Sequence, residues 1–216
     1  MNRQQFLSVL LAGVIGTGLG LGASTSVQAQ VNDKTFVTMP RAIPTEVPAG
    51  KIEVLEFFWY GCPHCYSLEP YIDSWLKKQP EDVVFRRVHV PFFGQPHQQL
   101  FFTLQAMGRQ DAQTRTLIFD AIQKQRKPLK TVDEMVALLK PAGIDAKQFQ
   151  DTYNSFGVKT AMQRANKLAT AYGLEGVPVL TVGGRYVTSP STAGSNQQAL
   201  TVVDDLIRRV REQAAR

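Results

Sequence analysis

The sequence predicts an α/β fold in which two strand-bearing halves are separated by an inserted helical subdomain. Three observations carry that prediction. Residues 51–90 read as strand, helix, strand, a βαβ unit that implies parallel pairing and a right-handed crossover. Residues 96–172 change to helical periodicity. From Val179 strands resume as a hairpin, and an amphipathic segment closes the chain. At 216 residues the chain is sized for one domain with a sizeable core.

Each element has its own local reason. Residues 1–29 have the form of an export signal. Arg3 supplies a positive start, Phe6 to Gly22 holds no charge, and Val27-Gln28-Ala29 offers small residues for cleavage after Ala29. The glycines between Gly13 and Gly22 argue against a retained span, and no cysteine adjoins the cleavage point to carry a lipid. The domain is therefore expected to occupy residues 30–216 and to be exported. Thr35 to Met39 is a short strand candidate, followed by a connection broken by Pro40, Pro44 and Pro48.

Lys51 to Tyr60 is the central strand candidate, and Cys62 to Lys78 is a helix, with Pro70 expected to kink it. Val83 to Val90 is the next strand. In the helical segment, Leu100, Leu104 and Met107 share one apolar face. Val132, Met135, Val136 and Leu139 form another behind a capping box of Thr131 and Glu134. Asp145 with Gln148 opens a short helix, and Val158, Ala161, Met162, Ala165, Leu168 and Tyr172 line a longer one that Gly173 stops. Val179 to Val182 and Arg185 to Val187 form a hairpin about Gly183-Gly184. Leu200, Val203, Ile207 and Val210 mark the inward face of the last helix.

The chemistry concentrates between Glu53 and Cys65. An apolar strand runs through a glycine turn into Cys62-Pro63-His64-Cys65, at the start of a helix. Unpaired backbone N–H groups and the positive helix end there favour an anion, so the Cys62 thiol should be acidified and reactive. Cys62 is the expected exposed nucleophile, Cys65 the resolving thiol one turn later, and His64 a stabiliser of the Cys62 thiolate. As a structural staple the pair is weak, since a four-residue loop yields about 2 kcal/mol in the chain-entropy model. As a zinc half-site it would need further ligands, and His64, His89 and His97 are the only histidines. Haem attachment would require His after the second cysteine, where Tyr66 stands. Glu56 interrupts the apolar strand, so its carboxyl is either at a wet edge or buried for a purpose. Trp59, Tyr60, Pro63, Phe92, Phe93 and Pro178 are candidates for an apolar rim, with Phe92 and Phe93 as the candidate substrate contacts.

Val54-Leu55-Glu56-Phe57-Phe58 leading into Cys62-Pro63-His64-Cys65 resembles the bacterial DsbA family of thiol:disulfide interchange proteins, and the similarity extends over most of the chain after residue 30. The element order is that of a thioredoxin fold interrupted by helices, which is the family's architecture. The resemblance implies a protein disulfide oxidoreductase without cofactor or metal, whose Cys62–Cys65 disulfide is donated to unfolded or reduced exported proteins through a mixed disulfide at Cys62. It implies a membrane reoxidant similar to DsbB. It matches Glu56 to a family acid that assists proton transfer near the buried cysteine, with Arg87 where the family has a lysine. It matches Gly176-Val177-Pro178 to a cis-Pro loop facing the cysteines, whose backbone at Val177 would meet an extended client. A reductase or isomerase of the same fold is the alternative, although dedicated isomerases resemble dimers with an extra N-terminal domain that residues 30–51 cannot hold; this chain is expected to be a monomer. A peptide- or metal-binding module that kept the fold is the non-enzymatic alternative.

Composition fits these readings. Hydrophobic residues make up 44% and charged ones 19%, and the formal charge is +6. Arg86-Arg87, Lys124 to Lys127 and Arg208-Arg209 are scattered and lack interleaved aromatics, which argues against nucleic-acid binding.

Overall fold

A computed structural model describes residues 34–92 and 94–215. The export signal read over residues 1–29 and the proposed contact Phe93 lie outside the described residues. The sheet has five strands in the order β1-β5-β4-β2-β3, with β1 at Val37–Thr38, β2 at Ile52–Phe58, β3 at Val83–His89, β4 at Val179–Val182 and β5 at Tyr186–Thr188. β2 pairs parallel with β3 and antiparallel with β4. The crossover between β2 and β3 is helix α1, Pro63–Leu76, which confirms the βαβ unit.

The inserted subdomain consists of α2 (Gln95–Ala106), α3 (Ala112–Gln123), α4 (Val132–Leu139), α5 (Ala146–Tyr153) and α6 (Phe156–Ala171). The first of these helices begins at Gln95 and the last ends at Ala171. The sequence reading passed over α3, which Asp111 caps by accepting from the Thr114 N–H at 2.8 Å. It also missed the short α7, Pro190–Ala193. The last helix, α8, spans Asn196–Ala214. The first strand is shorter than the expected Thr35 to Met39, because only Val37 and Thr38 pair with β5. α1 continues through Pro70 as one helix.

β2 is buried along its whole length, which is why it reads as a continuous apolar run. Successive side chains point to opposite faces. Val54 packs with Leu68, Ile72, Val203 and Ile207 beneath α1 and α8. Leu55 and Phe57 pack on the other side with residues of the helical insert such as Phe101, Met162 and Ala165. The two acids of β2 are each met by an arginine from β3. Arg86 lies 3.1 Å from Glu53, and Arg87 lies 2.9 Å from Glu56. No helix among the described residues is long and apolar enough to cross a membrane.

Candidate active site

β2 ends at Phe58, and the next three residues turn the chain so that the Cys62 N–H donates to the Trp59 carbonyl at 3.0 Å. Cys62 thereby becomes the N-cap of α1, with Pro63 at the first helical position, where its missing N–H costs nothing. The Cys62 sulfur takes the role that a serine or aspartate oxygen usually takes at this position. It accepts the backbone N–H of Cys65 at 3.4 Å, and in its thiol form it donates to the Val177 carbonyl at 3.5 Å. Both cysteines are free thiols.

The surroundings split the two sulfurs chemically. Hydrogen bonding from the Cys65 thiol, the N–H groups of Cys65 and His64, and the His64 charge all favour the Cys62 thiolate. Against the opposing effect of burial they hold its pKa at about 6. Cys65 is pushed far in the other direction by burial, by its bond to Cys62 and by the negative charge of Glu56. Cys65 has no solvent exposure.

Cys62 itself is only 7% exposed, which corrects the expectation of an exposed nucleophile. Trp59, Pro63, Phe92, Glu175, Gly176 and Val177 wall a cleft of about 520 Å³ with Cys62 at its floor. These walls come from three separate segments. The sulfur is therefore reachable through the cleft rather than from all sides. Val177–Pro178 is a cis peptide bond, as the motif suggested. A second cavity of about 820 Å³ continues along Val177 and Pro178 and has the exposed His64 on its rim.

Glu56 is fully buried, and its charge acts on Cys65. Burial raises its pKa to about 8 in spite of Arg87, and the neighbouring Glu69 pushes the same way. The Arg87 N–H groups are aligned on Glu69, at 3.2 Å each, so neither Glu56 oxygen receives an aligned hydrogen bond. Arg115, from α3, pairs with Glu69 and, at 2.7 Å, with Asp73. Two arginines thus serve three carboxylates on the inner flank of α1. The sequence reading had only the Glu56–Arg87 contact, which the structure contains.

Of the rim candidates, Trp59, Pro63 and Phe92 border the Cys62 cleft. Tyr60 does not: it is 1% exposed and packs edge-on against Phe58 and Phe119 in the core. Pro178 borders the second cavity and is not part of the Cys62 cleft. Sequence reasoning also missed two histidines that hold the turn. His89 Nε2 accepts the Tyr60 N–H at 3.3 Å, and His97 Nδ1 accepts the Trp59 indole N–H at 3.2 Å. Burial holds the pKa of both below the ordinary histidine value. Their one sequence-level signal was that they were histidines. Among the described residues, no three His, Cys, Asp or Glu side chains come together as a metal site.

Comparison with known proteins agrees with this geometry. Residues 95–202 match the family model of the DSBA-like thioredoxin domain. The thiol:disulfide interchange protein DsbA of Azotobacter vinelandii is 45% identical over 212 residues, covering 97% of this chain and 98% of that protein. The Burkholderia cepacia protein of the same name is 40% identical over 211 residues, covering 97% and 98%. The crystal structure of Pseudomonas aeruginosa DsbA superposes with a TM-score of 0.81 at 42% identity, covering 85% of this chain and 95% of that one. A thioredoxin sheet interrupted by helices, a helix-capping cysteine acidified above a buried one, and full-length likeness to these proteins lead to one assignment: the chain belongs to the DsbA family of thiol:disulfide interchange proteins.

Proposed function

We propose that this thiol–disulfide oxidoreductase works in the periplasm as a dithiol oxidase that donates its Cys62–Cys65 disulfide to reduced exported proteins. A client thiolate attacks Cys62 Sγ, the Cys62–Cys65 bond breaks, and its electron pair leaves with Cys65. The buried Cys65 takes up a proton, because its surroundings oppose the anion, and the raised pKa of Glu56 supports a part for that carboxyl in the transfer. A second client thiolate then attacks the client sulfur of the mixed disulfide, and Cys62 departs as a stabilised thiolate. The client loses two electrons and the protein gains them. A membrane reoxidant similar to DsbB would return the pair to the disulfide.

The observation that carries this reading is the opposite treatment of the two sulfurs. The one at the cleft floor is a good leaving group near neutral pH, and the one beneath it is closed to clients. Val177 supports the substrate role of its loop, since its carbonyl already lies 3.5 Å from Cys62 Sγ. His64 acts on the thiolate by charge, and Pro63, Pro178 and Phe92 shape the approach. Removal of residues 1–29 on export and action as a monomer complete the proposal. The test is oxidation of a reduced dithiol peptide by the oxidised protein, compared with Cys62→Ser. Equal rates would refute it. Equilibration with glutathione separates an oxidase from a reductase, because a strongly reducing potential would assign the chain to the latter, and reshuffling of a scrambled-disulfide client tests for an isomerase.

A further inference from the structure

Trp59 is held on two sides by features unrelated to the cysteines. On one side lies Gly61: a Cβ added there would sit 2.1 Å from the indole Cζ2, so the ring rests against bare backbone. On the other lies His97, in the first turn of α2, with the two rings 26° from parallel and their centroids 6.3 Å apart. The two nitrogens of His97 are used in opposite senses. Nδ1 accepts the Trp59 indole N–H, and Nε2 lies 2.8 Å from the Pro128 carbonyl, which can only accept. The carbonyl therefore fixes the neutral Nε2–H tautomer and leaves Nδ1 free to receive the indole.

A tryptophan whose N–H is satisfied at its edge can turn its apolar face elsewhere. Here the ring lines the same cleft as Cys62, together with Pro63, Phe92 and Val177. We propose that His97 is a positioning residue for client specificity: it fixes Trp59 as the wall against which an apolar side chain packs when it adjoins the client's reacting cysteine. The proposal rests on Cys62 being the sulfur that clients attack. It gives the helical insert a direct part in client choice, through a contact 38 residues from Trp59 in sequence.

Two reduced dithiol peptides, identical except for Leu or Gly beside the first cysteine, test it through the ratio of their kcat/KM values. Wild type should favour the Leu peptide. His97→Leu should cut that preference about fivefold, the equivalent of one neutral hydrogen bond at about 1 kcal/mol. His97→Gln, whose amide oxygen can accept the indole N–H, should restore most of it. In Trp59→Phe the donor is gone, so adding His97→Leu should cost nothing further. An unchanged ratio in His97→Leu, or additive losses in the double variant, overturns the proposal. Should His97→Leu not fold, full preference in Trp59→Phe overturns it equally. A wild type that oxidises neither peptide removes the proposed function first and this inference with it, whereas oxidation of both without preference removes only the inference.

Discussion

Replacing Cys65 by alanine in the reduced protein isolates the strongest influence on Cys62. The bond from the Cys65 thiol contributes most to lowering the Cys62 pKa from the ordinary 9.0 to about 6. A hydrogen bond to a charged group contributes about 1.5–3 kcal/mol. At 1.36 kcal/mol per pH unit this is about one to two units. Solvent entering the cleft screens part of it, so the lower figure applies and Cys65→Ala should titrate near 7. Cys65→Ser keeps a donor and should stay close to wild type. The assay is ultraviolet absorbance of the thiolate against pH. Coincident curves for wild type and Cys65→Ala would refute the assigned cause, and a wild-type midpoint at the ordinary 9.0 would refute the site's electrostatics altogether. Stabilisation of the dithiol form is complete above 9.0, shrinks as pH falls, and is gone below about 6. At pH 7 it amounts to at most about 1.4 kcal/mol, or about 30 mV in favour of reduction.

Glu56→Gln should stabilise the fold, by about 2–3 kcal/mol at pH 8 and far less at pH 5, in urea denaturation. The raised Glu56 pKa means that stability is full below about 4.5 and is lost as pH rises toward about 8, so a pH-independent gap would contradict it. Arg115→Met leaves Glu69 and Asp73 with Arg87 alone and should cost about 3 kcal/mol by the same measurement. Gly61→Ala forces the indole away from the turn, so it should cost about 1–3 kcal/mol and shift Trp59 emission; unchanged emission would show that the ring does not rest there.

The fold was legible where local sequence and tertiary burial agree. β2 is apolar because both its faces are covered, and the Gly183-Gly184 turn declares its hairpin through two left-handed residues at φ 57° and 68°. α3 escaped because Gln113, Thr114, Arg115 and Thr116 open it without a clear apolar stripe, and Arg115 is buried by ion pairs that no periodicity scale counts. The cysteines announced themselves by spacing and by the strand before them. The enclosure of Cys62 did not, because Trp59, Phe92 and Val177 approach it from separate parts of the chain. His97 was unreadable for the same reason: its meaning is the partner the fold brings to it.

The inner flank of α1 has a consequence for how the molecule changes oxidation state. The helix is tethered turn after turn, with Tyr66 donating to Asp120 at 2.7 Å, Glu69 and Asp73 gripped by Arg115, and Trp75 donating to Asp204 at 2.7 Å. A client thread pulling on its capping residue, Cys62, meets a post sunk in both the insert and the last helix. Opening or closing the sulfur bridge can then be a local event, with little backbone to rearrange, and the energy of exchange stays in the bond being traded.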